Sequence, residues 1–84
     1  MSWYVYIAKA KTGRYYTGIT TDTLKRIEKH NKGKGSRFAQ QQGPFRLVYE
    51  SEVFLNKAEA RKREAQIKRW NKGKKEKLIN GEWK

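Results

Sequence analysis

The stretch WYVYIAKAKTGRYYTGIT, residues 3–20, holds two short segments rich in aromatic and β-branched residues, with a glycine-containing turn between them. Residues of these types favour β-strands. The turn that separates the segments then predicts an antiparallel hairpin formed by Trp3–Ala8 and Tyr15–Thr20.

The hairpin sorts its side chains onto two faces, because successive residues of a strand point in opposite directions. If Ile19 joins the apolar residues of the first strand in the core, then Tyr6, Tyr16 and Gly18 share the other face. A face with two tyrosines beside a glycine would leave space for a ligand.

A first helix is predicted directly after the hairpin. Thr21 or Asp22 supplies a cap-type residue, Leu24 and Ile27 are spaced as one apolar stripe, and Gly33 marks the end. Residues 32–44 mix glycine, glutamine and basic residues without periodicity, which indicates a surface loop. The loop either contacts phosphates or serves only as a connector.

The second half of the chain predicts one strand and two helices. Residues 45–54 form the third strand, Asn56 with Glu59 resembles a capping box, and Leu55 with Ala60 supplies a hydrophobic staple. The next helix covers residues 57–70, and a break at residues 72–74 precedes a short last helix. The order β-β-α-β-α-α predicts an α+β domain over residues 1–84, with a small three-stranded antiparallel sheet flanked by helices.

The charge of the chain points to a polyanionic partner. The 21 Lys and Arg residues against 8 Asp and Glu residues leave a net charge of +13, which is self-repulsive in a compact domain. Nucleic acid is the natural partner for such a surface. Composition alone does not separate a nuclease from a passive binder.

The composition also excludes several classes of protein. There is no cysteine, hence no disulfide framework and no thiolate metal site, and a reducing cytoplasm would suit the chain. The sequence has neither the apolar stretch of a signal peptide nor a run of the ~20 apolar residues that a membrane helix needs. We therefore expect a soluble, cytoplasmic protein without a membrane partner.

Two short motifs carry a family resemblance. The segments Tyr4-Val5-Tyr6 and Tyr16-Thr17-Gly18, whose tyrosines Tyr6 and Tyr16 are ten positions apart, resemble the two half-motifs of the GIY-YIG nuclease family. Arg26 falls where this family has an arginine on its first helix, and His30 falls where many members have a histidine. Relative to the family pattern, a tyrosine replaces the glycine of the first half-motif and a threonine replaces the isoleucine of the second.

The resemblance continues to the end of the chain. The segment KREAQIKRW is similar to the helix that supplies the metal-binding glutamate of the family, here Glu64, and INGEW is similar to the segment that would place Asn80 in the site. The likeness covers nearly all of the sequence. It is strongest to small, stand-alone bacterial members with a single domain.

The resemblance implies a metal-dependent endonuclease that hydrolyses phosphodiester bonds in DNA. This reaction needs an activated water, a cation that neutralises the growing charge on the phosphate, and help for the leaving alkoxide. Glu64 would hold one Mg²⁺ or Mn²⁺ ion, and Arg26 would clamp the scissile phosphate. Tyr6 would be the general base, in a phenolate form that nearby cations favour.

Four further residues receive supporting roles from the same resemblance. Tyr16 would position the water or the phosphate, and Gly18 would leave room for the nucleic-acid backbone. His30 would assist proton transfer or bind a phosphate, and Asn80 would orient a neighbour through its amide.

The second predicted helix would add phosphate contacts that do not depend on base sequence. Its candidate residues are Arg61, Lys62, Arg63, Lys68 and Arg69. The alternative for these residues is a solvated helix face.

A second hypothesis stays open, namely a noncatalytic basic nucleic-acid-binding module on the same fold. Glu64 and Lys68 are four residues apart, a spacing that also suits a surface ion pair. A Tyr6 packed in an apolar core, or a Glu64 on the opposite side of the domain from Arg26, would contradict the nuclease hypothesis. The sequence leaves open the form of the substrate, the metal used and any accessory protein partner.

Overall fold

A computed structural model describes residues 2–31 and 44–82 of the chain. Its strands are β1 (Tyr4–Lys9), β2 (Tyr15–Thr20) and β3 (Arg46–Glu50), and its helices are α1 (Thr23–Asn31), α2 (Lys57–Lys68) and α3 (Lys72–Ile79). The predicted order β-β-α-β-α-α is confirmed. Among the described residues, no helix has the length and apolar character required to cross a membrane.

The sheet has the order β2-β1-β3, with both pairs antiparallel. The predicted hairpin closes through a turn in which the Ala10 amide donates to the Arg14 carbonyl and the Gly13 amide donates to the Ala10 carbonyl, at 2.8 and 2.9 Å. Gly13 has a φ of 93°, a conformation that favours glycine because a Cβ atom would be strained there. Because β1 is the central strand, both of its faces carry residues of the core.

One face of the sheet packs against α2 and α3, and the other packs against α1. The first layer contains the buried residues Val5, Ile7, Ala60, Ile67 and Leu78, with Ile19 packed against them. The second layer contains Tyr6, Ala8, Ala10 and Phe45, with Tyr16 and Ile27 packed against them. The alternation expected for the hairpin is confirmed, since Ile19 and the two tyrosines lie on opposite faces.

Helix α1 begins after Asp22, whose Oδ1 accepts a hydrogen bond from the Lys25 amide at 3.0 Å. The predicted apolar stripe is wrong at Leu24, which is 73% exposed. Thr23 is buried instead and donates its hydroxyl to Glu50 Oε1 at 2.9 Å, one turn before Ile27 on the same face. The predicted end at Gly33 and nearly all of the predicted loop lie outside the described residues.

Strand β3 is shorter than predicted, because the chain leaves the ladder at Ser51. The Ser51 hydroxyl accepts a hydrogen bond from the Val5 amide at 2.9 Å and donates to the Glu52 carbonyl at 2.7 Å. Pairing resumes at a single bridge between Trp3 and Phe54. This bridge fixes Trp3 at the entry to β1.

Helices α2 and α3 each begin at an asparagine cap. Asn56 accepts from the Glu59 amide at 2.9 Å, as predicted, and Asn71 accepts from the Lys74 amide at 2.8 Å. The predicted staple does not form, because Leu55 is 80% exposed. The predicted break is also displaced: Gly73 lies inside the first turn of α3, since the Asn71 cap starts the helix before it.

Asn31, the last described residue of α1, ties this helix to the start of β3. Its Nδ2 donates to the Phe45 carbonyl at 2.9 Å, and its Oδ1 accepts from the Phe45 amide at 2.5 Å. The two bonds reproduce the donor and acceptor pattern of a neighbouring strand. They hold the end of α1 next to Phe45, a residue of the second core layer.

Candidate active site

A cleft with a volume of about 420 Å³ lies beside β2, the strand at the edge of the sheet. Three consecutive β2 residues, Thr17, Gly18 and Ile19, form its floor together with Tyr16. A side chain of α1 lines one side of the cleft, and side chains of α2 line the other. The described lining residues beyond the floor are Trp3, Tyr6, Arg26, Lys57, Arg61, Glu64 and Lys68.

Tyr6 reaches the cleft by crossing over Gly18, its cross-strand partner in the hairpin. A Cβ atom placed on Gly18 would lie 2.6 Å from the Tyr6 hydroxyl oxygen and 2.8 Å from its Cζ. Gly18 lines the cleft, and the room it would leave for a ligand stays a prediction, but the space on its side-chain side is filled. That space holds the Tyr6 phenol, which needs a glycine beneath it because any side chain there would collide with the ring.

The Tyr6 ring is 4% exposed and packs in the layer under α1, yet its hydroxyl belongs to the cleft. The hydroxyl oxygen accepts a hydrogen bond from Arg26 Nε at 3.3 Å. This bond orients the phenol and brings a permanent positive charge to its oxygen. The buried ring thus positions the hydroxyl at the cleft instead of removing it from the site.

Tyr16 and Thr17 present hydroxyl groups on opposite faces of β2. The Tyr16 ring meets Phe45 edge to face, with ring centroids 5.2 Å apart, which fixes its orientation. The Thr17 hydroxyl oxygen is buried and has no hydrogen-bond partner among the residues that the structure describes. An unsatisfied buried hydroxyl is costly, so this oxygen is a point of weak packing beneath the cleft.

Helix α2 turns one charged face toward the cleft. Lys57, Arg61, Glu64 and Lys68 are spaced by four, three and four residues, which aligns them on one side of a helix. The Glu64 side chain is only 17% exposed, and its Oε2 lies 3.5 Å from Lys68 Nζ. Glu64 and Arg26 line the same cleft, so the condition that placed them on opposite sides of the domain is not met. The other condition is met by the Tyr6 ring, which packs in the core, but not by its hydroxyl, which lies at the cleft beside Arg26.

The other three basic candidates of α2 do not line the cleft. Lys62 is exposed and pairs with Glu59 at 3.7 Å, whereas Arg63 lies over the Trp70 ring, 5.1 Å from its centroid. Arg69 is exposed at the end of the helix. Of the five predicted phosphate contacts, the geometry brings only Arg61 and Lys68 to the cleft.

The remaining predicted residues are placed as follows. Asn80 caps the C-terminus of α3, is exposed and lies outside the cleft, and its neighbour Gly81 lines a different cavity beside Tyr49 of β3. Its predicted role in the site gains no support from this position. The backbone of His30 belongs to α1, and its side chain lies outside the described part of the structure.

Sequence reasoning missed four lining residues, namely Trp3, Thr17, Ile19 and Lys57. Lys57 Nζ lies 5.2 Å from the centroid of the Trp3 ring, so these two form one wall of the cleft. The four-residue spacing between Lys57 and Arg61 could have indicated the lysine. Trp3 could not be found this way, because its position depends on the bridge to Phe54.

The donor set of the cleft fits a weakly held, hydrated divalent cation. Among the described residues no group of three His, Cys, Asp or Glu side chains could hold a metal ion, and Glu64 is the acidic residue that lines the cleft. Mg²⁺ keeps several waters and needs only one or two protein carboxylates when a substrate phosphate completes its shell. Lys68 would first have to leave Glu64, because an ammonium 3.5 Å away competes with the metal.

An edge cleft that gathers two tyrosines, an arginine and a glutamate over a β-β-α-β-α-α fold defines a class of catalytic domain. Residues 2–77 match the family model described as the GIY-YIG catalytic domain. The chain belongs to the GIY-YIG family, which is a nuclease-type family.

Relatives of similar size support this membership. The chain is 45% identical over 80 residues to the UPF0213 protein BH0048 of Halalkalibacterium halodurans, covering 95% of this chain and 84% of the relative. It is 48% identical over 77 residues to the UPF0213 protein SSP2268 of Staphylococcus saprophyticus, covering 92% and 93%. The solution NMR structure of BH0048 superposes with a TM-score of 0.59, again over 95% and 84% of the two chains.

Proposed function

We propose that the protein is a metal-dependent endonuclease that hydrolyses phosphodiester bonds in DNA. One observation carries the proposal: Tyr6, Arg26 and Glu64 come from three different elements and line one cleft. Packing alone does not require this combination of a phenol, a guanidinium and a carboxylate. The net charge of +13 supports a polyanionic substrate.

Tyr6 is the general base in this proposal. Its hydroxyl oxygen, in the phenolate form, takes a proton from the water that attacks phosphorus. Arg26 holds this oxygen through Nε and thereby keeps the base in place while the proton moves to it. The buried ring restricts the phenol to one orientation, which lowers the entropic cost of reaching the reactive geometry.

Arg26 also binds the scissile phosphate. A guanidinium has five N–H donors, and with Nε directed at Tyr6 the two terminal nitrogens carry the other four. Two of these donors can bind two phosphate oxygens side by side. The same residue therefore connects the base to the phosphate that it serves.

The cations of α2 hold the rest of the backbone. Lys57, Arg61 and Lys68 line the cleft opposite Arg26, so a phosphate in the cleft has positive charge on both sides. These charges stabilise the transition state more than the ground state, because negative charge on the phosphate oxygens grows as the reaction proceeds.

Glu64 would hold the Mg²⁺ or Mn²⁺ ion. When bound, the ion would stabilise charge on the phosphate and on the leaving alkoxide. Glu64 would be able to hold the ion only without its present partner Lys68, whose ammonium would then be available for a phosphate.

Tyr16 is assigned a positioning role beside Phe45, and Gly18 is required because the phenol of Tyr6 crosses it. His30 remains a candidate for proton transfer on α1. We assign no contact with substrate to Asn80, Lys62, Arg63 or Arg69, because none of them lines the cleft.

One observation favours the noncatalytic binding module instead. The Glu64 carboxylate already has a cationic partner at 3.5 Å, so its charge is balanced without a metal. A protein that only binds nucleic acid would retain this pair. The two functions differ in whether DNA is cut, and both predict binding that weakens with salt.

Cleavage of labelled duplex, branched and single-stranded DNA with Mg²⁺ or Mn²⁺ tests the proposal. Glu64→Ala and Tyr6→Phe are each expected to reduce the cleavage rate by about 10²–10⁴-fold, the range typical for loss of a general base or a comparable catalytic group. DNA binding, followed by fluorescence anisotropy, should change by much less.

Two matched variants serve as controls. Glu59→Ala removes an exposed carboxylate from the same helix, and Tyr4→Phe removes a phenol from the same strand; neither residue lines the cleft. Both should cut at the wild-type rate. Tight, salt-sensitive binding without cutting of any substrate, unaltered by any of the four substitutions, would establish the binding module and reject the nuclease.

A further inference from the structure

A row of three residues crosses the sheet at the end where the hairpin turns. Lys9 of β1 lies directly opposite Tyr15 of β2 and directly opposite Arg46 of β3. Cross-strand partners point to the same face of a sheet, and like charges opposite each other are destabilising. The pairing of Lys9 with Arg46 therefore weakens the fold unless an anion binds between or above them.

The turn and the start of α3 add further cations around Tyr15. Lys9 Nζ and Lys72 Nζ lie 5.7 and 5.8 Å from the centroid of its ring. A depression of about 230 Å³ is lined here by Thr12, Gly13, Arg14, Tyr15, Lys72 and Lys75, and an adjoining one is lined by Lys9, Ala10, Lys11, Pro44 and Arg46. None of these described lining residues is acidic.

We call the six basic residues of these two depressions the turn-end patch: Lys9, Lys11, Arg14, Arg46, Lys72 and Lys75. At its centre Tyr15 is neutral at physiological pH, since burial raises the pKa of its hydroxyl, Glu76 raises it further and Arg46 opposes the change. A neutral aromatic ring among cations suits a sugar or a base next to a phosphate. None of these residues takes part in the proposed cleavage.

The turn-end patch adjoins the cleft along two elements. Tyr15 precedes Gly18 by three residues of β2, about 10 Å at the usual rise of a strand. The charged face of α2 ends at Lys68, and Lys72 follows four residues later. The two basic regions are thus linked by β2 and by the short connection between α2 and α3.

We propose that the turn-end patch is a second nucleic-acid-binding site, which holds the sugar–phosphate backbone of the substrate a few nucleotides from the bond in the cleft. This inference rests on the proposed function for its substrate class. A separation of about 10 Å along β2 corresponds to about 3 base pairs at ~3.4 Å each. The patch would explain how so small a domain positions DNA.

A nucleic acid suits the turn-end patch better than a membrane surface does. Proteins that lie on lipid combine cations with large apolar side chains that enter the acyl boundary. The apolar side chains among the described lining residues of the patch are only Ala10, Pro44 and the half-buried Tyr15. Lysine and arginine around shallow depressions are instead the residues that contact phosphates.

The test compares DNA binding by variants that each lose two charges. Lys11→Gln/Arg14→Gln and Lys72→Gln/Lys75→Gln change the turn-end patch, and Lys25→Gln/Lys77→Gln removes two exposed lysines that line neither the patch nor the cleft. The dissociation constant of a 20-base-pair duplex is measured from 50 to 200 mM NaCl. Each patch variant should bind about tenfold more weakly and lower the salt slope by about one to two, whereas the control should change it by less than one.

Equal losses in the patch variants and in the control would overturn the proposal, because the patch would then act only through the overall charge. Selective loss of binding to phosphatidylserine vesicles, with DNA binding unchanged, would overturn it in favour of a membrane surface. If a variant fails to fold, NMR amide shifts of the wild-type chain decide the question. Duplex DNA should shift residues 11–14 and 72–75 together with those of the cleft, and unshifted patch residues would reject the site.

Binding is the readout in both measurements, so the outcome does not depend on cleavage. A protein that never cuts DNA but binds it through the turn-end patch would refute the endonuclease and retain the second site. A protein that cuts DNA with no contribution from the patch would do the opposite.

Discussion

Gly18 is the residue on which the position of the proposed base depends most directly. A methyl group there would lie 2.6–2.9 Å from three atoms of the buried Tyr6 phenol. Gly18→Ala should therefore displace the ring, destabilise the fold by about 1–3 kcal/mol through overpacking, and break the contact with Arg26. Urea unfolding measures the loss of stability, and the cleavage rate measures the effect of displacing the phenol from Arg26.

Two comparisons separate this collision from a general intolerance of alanine. Gly73→Ala, in the first turn of α3, meets only Asn71 Oδ1 at 3.5 Å and should be neutral or slightly stabilising. In a Tyr6→Leu background, which removes the end of the ring, Gly18→Ala should cost at least 1 kcal/mol less. The same cost in both backgrounds would show that the phenol is not what the glycine accommodates.

At this scale the motif resemblance indicated which residues to expect in the cleft, but not how they meet. Strand alternation placed Tyr6 and Gly18 on one face, and it could not show that a long phenol reaches across the neighbouring strand. The hydrogen bond from Arg26 to Tyr6 joins residues 20 positions apart, so it depends on how α1 packs. Thr17 was noted only as a departure from the motif, because the burial of its hydroxyl depends on tertiary packing that the sequence does not reveal.

Among the connections between elements, the Asn31 side chain makes the most specific one. Asn31→Ala removes both hydrogen bonds to the Phe45 backbone and should destabilise the fold by about 1–3 kcal/mol, at ~0.5–1.5 kcal/mol per bond. Chemical unfolding monitored by circular dichroism gives the value.

Asn80→Ala is the matched control, because it removes an exposed amide at the end of another helix. Its effect should stay within about 0.5 kcal/mol of zero. Equal effects of the two substitutions would mean that the Asn31 clamp contributes nothing specific. A loss of cleavage in Asn80→Ala with unchanged stability would instead support the predicted role of this residue in the site.

The order of elements could be predicted because strand propensity, turn chemistry and caps all act locally. Asp22 and Asn56 were identified as possible caps by residue type, and both make the expected bonds. The errors arose where tertiary contacts decide the phase of a helix. Thr23 replaces Leu24 on the buried side because it can bond Glu50 of β3, a partner that no local pattern reveals.

The same limit explains the partial success on α2. Five basic residues of this helix were predicted to contact phosphates, but a helix presents only one face to a cleft. Which face that is depends on how Ala60 and Ile67 enter the core between α2 and the sheet. Arg61 and Lys68 lie on the side of the helix that lines the cleft, whereas Arg63 lies over the Trp70 ring.

For the molecule as a whole, the charge of +13 should make stability depend on salt even without a ligand. The longest dimension is 31 Å, close to the Debye length of about 30 Å at 0.01 M salt, so nearly all of the charges interact there. At 0.1 M that length falls to about 10 Å, and most of the repulsion is screened. Raising NaCl from 10 to 100 mM should therefore stabilise the fold.

A gain of about 1 kcal/mol, or about 4–8 °C in Tm, is the expected size for a domain of this length. Thermal unfolding at both salt concentrations provides the measurement. A Tm that does not rise with NaCl would show that the repulsion is already balanced within the fold.

The position of β2 at the edge of the sheet has a consequence for the behaviour of the protein at high concentration. Among the described strands it has a neighbour on one side only, and an unpaired strand edge is a template for association with another chain. The cations around this edge repel a second copy, so we expect the protein to stay dispersed while its surface charge is not neutralised. A polyanion in stoichiometric balance would remove that protection, and turbidity at charge neutrality is the expected consequence of the open strand.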